Sequence, residues 1–112
     1  MNSNQPLPIN KKLTVLFRVE PGCLGPEGEK LVKEYCELAQ SKIEVVHSNY
    51  INWVITPRND KIQPELQFKI NGKILDREKA DRYLSFFAIN INVLERQLFK
   101  NITDLIEQYL GR

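Results

Sequence analysis

The stretch that decides the fold runs Leu13-Thr14-Val15-Leu16-Phe17-Arg18-Val19-Glu20-Pro21-Gly22-Cys23-Leu24-Gly25-Pro26. Leu13, Val15, Phe17 and Val19 alternate with Thr14, Leu16, Arg18 and Glu20, a period of two that predicts a strand with one strongly apolar face. Pro21 and Gly22 stop it. A helix opens at Pro26 or Glu27, because proline suits a first helical turn and Glu27 and Glu29 complement the positive end of the dipole. Val32, Cys36, Ala39 and Ile43 supply the inward stripe of that helix. Its end falls between Ile43 and Asn49, where Val45 and Val46 fit either a last turn or the start of a strand.

Tyr50 to Thr56 predicts the second strand, with Ile51, Trp53 and Ile55 on one face. Tyr50 and Val54 keep its other face partly apolar, which places it centrally in the sheet. Pro57 ends it, and Arg58-Asn59-Asp60-Lys61 is a solvated loop. Glu65 to Ile70 alternates strictly and leads into Asn71-Gly72, a pair that tolerates the positive φ of a type I′ turn. Lys73 to Leu75 returns as a short edge strand. Asp76 caps a helix carrying Ala80, Tyr83, Leu84 and Phe87 at helical spacing. The last helix starts at Asn90 or Asn92, the latter forming a capping box with Glu95, and it ends at Gly111. The expected architecture is a two-layer α+β domain in β-α-β-β-β-α-α order. Its mixed sheet has about four strands, the first two parallel across a helical crossover and the rest a meander.

Composition is that of an ordinary globular chain: 112 residues, 42% hydrophobic and 27% charged. This length favours one core, so residues 11–112 form a single domain behind a loose polar tail at residues 1–10. A net charge of +2 is too mild to imply nucleic acid or an anionic membrane by itself. No apolar run reaches the roughly 20 residues of a membrane span, and the first ten residues lack the pattern of a secretion signal. Cys23 precedes the first helix and Cys36 lies about ten residues into it. The two are therefore more than about 12 Å apart, against the ~7 Å that a disulfide tolerates. Two free thiols point to a reducing, cytoplasmic location.

Cys23 is the candidate catalytic residue. A thiol between a buried strand and a helix can be activated by backbone amides and the dipole, as a nucleophile or redox sensor requires. As a structural residue it would be a small filler in a rigid turn. Gly22, Gly25 and Gly28 do not make a phosphate loop, since Glu29 follows Gly28 where Lys-Ser or Lys-Thr belongs. His47 is the only histidine and has no partners at metal-ligand spacing, so no metal or other cofactor is expected. Glu27, Glu29, Glu34 and Glu37 interleave with Lys30 and Lys33 as a solvated helix face. Arg58, Lys61, Lys69, Lys73, Arg77 and Arg82, with Tyr50 and Trp53 as stacking groups, outline a nucleic-acid face in which Lys73 lies across the hairpin from Lys69. The same lysines would also protect a sheet edge.

The order of strand, cysteine turn, helix, strand, then Pro64 ahead of a hairpin and a helix resembles the thioredoxin-like superfamily over residues 12–87. The resemblance implies that Cys23 matches the nucleophilic cysteine and Pro64 the proline, often cis, that packs beside it. Cys23-Leu24-Gly25-Pro26 carries proline where a dithiol enzyme carries its second cysteine, so the implied chemistry is that of a single thiol. Residues 57–63 are also too few for the family's usual intervening helix, which favours an antiparallel hairpin there.

The last helix is apolar over an unusually wide arc, roughly 160°, through Leu94, Leu98, Ile102, Leu105 and Tyr109 and then Phe99, Ile106 and Leu110. Either it wedges between the sheet and the preceding helix, or Phe99, Ile106 and Leu110 meet a partner, most simply a second copy. With no convincing catalytic set, the expected function is that of a small non-enzymatic interaction or regulatory domain, homodimeric through the last helix. The alternatives are a single-cysteine thiol enzyme or sensor using Cys23, and nucleic-acid binding through the basic hairpin face.

Overall fold

The structure, a computed structural model, describes residues 6–112. Its elements are β1 Leu13–Val19, α1 Gly28–Ile43, β2 Ile51–Pro57, β3 Leu66–Ile70, β4 Lys73–Leu75, α2 Arg77–Phe86 and α3 Ile91–Leu110. They form the expected two-layer α+β fold around a four-stranded mixed sheet. β1 and β2 run parallel, in register from Leu13 opposite Ile51 to Val19 opposite Pro57, with α1 as the crossover.

The strand order is β2-β1-β3-β4, which corrects two expectations. β1 is central and β2 is an edge, although Val54 had suggested the reverse. β1 earns the centre by being apolar on both sides, since Leu16 is buried along with the Leu13–Val19 stripe. β2 and β3 are not a hairpin either, because β3 pairs antiparallel with β1. The loop between them passes over the carboxyl end of β1, held by Arg58 N–H on the Val19 carbonyl (2.8 Å) and Arg18 N–H on the Glu65 carbonyl (2.7 Å). Spanning two interstrand spacings takes only about 10 Å, well within the reach of this loop.

The hairpin β3–β4 turns at Asn71 (φ 50°) and Gly72 (φ 79°), as the Asn-Gly pair predicts. Its register places Lys73 opposite Ile70 and Ile74 opposite Lys69, so the two lysines point to opposite faces of the sheet. Asp76 caps α2 by accepting Lys79 N–H. Asn90, not Asn92, caps α3, accepting the amides of Asn92 and Val93. The capping-box reading fails because Arg77 claims both of its members, donating to Asn92 and pairing with Glu95. Gly111 (φ 73°) closes α3 in the left-handed conformation.

α1 begins at Gly28, later than expected, after a separate 3-10 turn over Pro21–Leu24. It ends at Ile43, and residues 44–50 are turns with Val45 exposed, so neither valine starts a strand. Residues 1–5 of the expected loose tail lie outside the described residues. In the rest of that tail Leu7 N–H donates to the Asn49 carbonyl, and Ile9–Lys11 makes a 3-10 turn.

The core lies on one face of the sheet. Leu13, Val15, Phe17 and Val19, with Ile51, Trp53, Ile55 and Phe68, meet Val32, Cys36, Ala39 and Ile43 of α1 and Leu94, Leu98, Ile102 and Leu105 of α3. α3 therefore wedges against the sheet and both other helices, and that packing accounts for most of its apolar arc. Tyr35 of α1 binds the two helices together, its buried hydroxyl donating to the Ile102 carbonyl at 2.7 Å. Burial raises the pKa of that hydroxyl above the usual tyrosine range.

Candidate functional site

The turn after β1 is built to be rigid. Cys23 N–H donates to Glu20, Gly25 N–H to Gly22 and Gly28 N–H to Gly25, at 3.0, 3.1 and 3.0 Å. Gly25 takes φ 89°, which favours glycine. Gly28 has no room for a side chain, because a Cβ there would lie 1.7 Å from the Pro21 carbonyl oxygen. The residue that fills the turn is Leu24, buried at 3% exposure, while the Cys23 side chain is exposed. Cys23 is thus no packing filler. It also stands five residues before α1, and its own amide is bonded to the Glu20 carbonyl.

Nor does the fold bring His47 to it. Cys23 follows the carboxyl end of β1, and His47 precedes the amino end of β2. These strands are parallel and in register, so the two residues sit at opposite ends of a seven-residue ladder, roughly 20 Å apart. His47 instead takes a positive φ of 49° in the turn before β2 and lines a cavity with Ala88, Asn90 and Val93. Among the described residues no group of three or more His, Cys, Asp or Glu side chains is placed to hold a metal ion. Pro64 lies in the loop before β3 with a trans peptide bond, its carbonyl accepting from the Arg18 guanidinium at 2.7 Å. Cys36 is buried in the core, and burial pushes its thiol up to about 12. Both thiols are free.

Two arginines organise this end of the molecule, Arg18, which the sequence presents only as a strand residue, and Arg58, which it offers as part of the basic face. Arg58 pairs with Glu20 at 3.7 Å and donates to the carbonyls of Gln63 and Lys61. Arg18 is buried at 7% exposure beside this loop, and among the described residues no carboxylate pairs with it. The available signal was its position, a long cation in the outward phase of the first strand.

The remaining candidates disperse. Arg58, Arg77 and Arg82 are each paired with a glutamate, namely Glu20, Glu95 and Glu78. Tyr50 stacks on Phe87 with ring centroids 4.1 Å apart, and Trp53 is buried with its indole N–H on the Val46 carbonyl. The groups named for nucleic-acid stacking are therefore engaged inside the fold. On α3, Ile106 is buried in the chain's own core and Leu110 packs against it, while Phe99 meets Phe17 edge-on and stays 39% exposed.

What the structure adds is an open surface. The helices cover only the face bearing Phe17, Trp53 and Phe68. The opposite face presents Thr14, Leu16, Asn52, Val54, Gln67, Lys69 and Ile74, with Asn52 donating to Thr14 across β1 and β2. Ile74 is 64% exposed there. No helix is long and apolar enough to cross a membrane among the described residues. Comparison with protein-family models, with curated proteins and with solved structures finds no match to this chain.

Proposed function

We propose that this domain is a non-enzymatic interaction or regulatory module acting in a reducing, cytoplasmic setting. The observation that carries this reading is the sheet face without helices, where Val54 and Ile74, flanking the buried Leu16, sit among Thr14, Asn52 and Gln67. Such a mixed surface suits protein contact better than a small-molecule pocket. Self-association is the simplest form of the reading. The last helix contributes Phe99 to it, while the burial of Ile106 and the half-burial of Leu110 against the core move the weight toward the open face. Sedimentation over a wide concentration range tests this directly. A dimer weakened by Val54→Lys places the contact on the sheet, one weakened by Phe99→Glu places it on α3, and a strict monomer removes self-association.

A second reading is favoured by the exposure of Cys23 beside a parallel β1-α1-β2 unit that leads into an antiparallel hairpin and a helix. That arrangement supports kinship with the thioredoxin-like proteins and a single-thiol role for Cys23. Titration with a thiol-reactive probe decides the chemistry. A pKa at or above about 8.5 for Cys23 ends the case for an activated thiol.

A further inference from the structure

The free edge of β2 is closed by a side chain. The parallel ladder uses the amides and carbonyls of alternate β2 residues, as Leu13 N–H on the Tyr50 carbonyl shows, and turns the polar groups of Trp53 and Ile55 outward. An exposed row of this kind invites another strand. Here Gln40 of α1 reaches over it. Its Nε2 donates to the Trp53 carbonyl at 2.8 Å, and its Oε1 accepts Ile55 N–H at 2.8 Å. A primary amide is chemically a peptide group, so these two bonds reproduce the donor and acceptor that one residue of a neighbouring strand would offer. Pro57, at the end of the edge, has no N–H to offer.

Beyond Gln40 the edge is not covered by packing. A groove of about 510 Å³ runs between α1 and β2, lined by Lys33, Glu37, Ser41 and Glu44 on the helix and Ile55 and Pro57 on the strand. A second trough of about 440 Å³ shares Lys33 and Pro57 and continues it toward Arg58. The edge thus has space beside it, and Gln40 holds the hydrogen-bonding positions at its middle.

We propose that Gln40 is an intramolecular stand-in for a strand, occupying the strand-addition site of β2 and preventing β2 of one copy from pairing with β2 of another. The occupant excluded is a second copy, because an antiparallel pair centred on Trp53 is two-fold symmetric and each edge supplies what the other needs. Pairing in the native chain requires breaking both Gln40 bonds first. Because a symmetric pair displaces the amide from each copy, four bonds in all, removing it should tighten edge association by about thirtyfold to ten-thousandfold, the equivalent of four ordinary hydrogen bonds.

Gln40→Met keeps the length and helix preference of the side chain and removes both bonds. By sedimentation and light scattering, Gln40→Met should associate one step beyond the wild type's own state. Hydrogen exchange gives an independent readout: the Ile55 amide should be protected at concentrations where the variant associates and exchange freely where dilution dissociates it. A folded Gln40→Met that keeps the wild-type mass at every concentration, with Ile55 exposed, overturns the proposal. If Gln40→Met does not fold, Gln40→Glu retains an acceptor for Ile55 N–H but cannot donate to Trp53. An unchanged association state in that folded variant would overturn it equally, and a tightened one would support it.

Discussion

The two faces of the sheet began from one alternating pattern and ended in different conditions. On the closed face, Leu13, Val15, Phe17 and Val19 lie under α1 and α3 and are almost wholly buried. On the open face, Leu16 and Arg18 are also buried, yet no helix lies above them. They are shielded laterally instead, between β2 and β3 and beneath the 58–65 loop that Arg18 and Arg58 hold in place. Burial on a central strand thus has two sources. A covering layer supplies most of the hydrophobic free energy, whereas flanking strands remove water from only the strand's midline. The closed face should hold the fold, and the open face should tolerate change.

The sharpest way to break that contrast is to truncate one side chain on each face. Phe17→Ala should cost about 3–5 kcal/mol in urea unfolding, because it empties a site packed by the sheet and by Phe99. Val54→Lys on the open face should change stability by about 0.5 kcal/mol or less. Equal losses would mean that the open face is covered in solution.

The two cysteines extend the comparison to pH. Cys36 titrates near 12 in the fold against an ordinary 9.0, so its neutral thiol contributes stability that is complete below pH 9 and lost as pH rises toward 12. Wild type should lose about 2–3 kcal/mol more than Cys36→Ala between pH 8 and 11, measured by denaturation at each pH. At pH 8 one thiol equivalent, Cys23, should react in the native protein and two in denaturant. Rapid native labelling of Cys36 would show that the closed face opens.

Arg18→Met should lower stability by no more than about 1 kcal/mol, since it removes a buried charge with no carboxylate partner along with one hydrogen bond. It should nonetheless loosen the loop, read as faster proteolysis at residues 58–65. A large destabilisation would reveal an anionic partner for Arg18. The smallest effect is a gain. Ala88 closes α2 at φ 58°, where alanine is disfavoured, and its amide with that of Ile89 completes the helix end. Ala88→Gly should raise stability by about 0.5–1 kcal/mol.

How much of this was legible follows from particular residues. The Leu13–Val19 alternation, the Pro21-Gly22 stop, the Asn71-Gly72 turn, the Asp76 cap and the Gly111 close were all readable, because each rests on backbone chemistry within a few residues. Asn92 misled because its capping motif is local while Arg77, which claims it, comes from another helix. Cys23 was legible as a thiol in a strand-to-helix turn, but the bonds of the Cys23, Gly25 and Gly28 amides to Glu20, Gly22 and Gly25 were not, since they depend on how that turn closes. Gln40 left no signal at all, being one more polar residue on an amphipathic helix.

The sequence by itself determined the elements, their order, the parallel β1-α1-β2 unit and the apolar face of each piece, since periodicity and turn chemistry act over a few residues. Only the tertiary structure decided that β1 rather than β2 is central, that the 58–65 loop crosses β1, that α3 spends Ile106 on its own core, and that Gln40 seals the β2 edge. Those choices depend on which surfaces meet across long sequence separations. No local pattern encodes them, because the same alternating strand can sit at the centre of a sheet or at its edge.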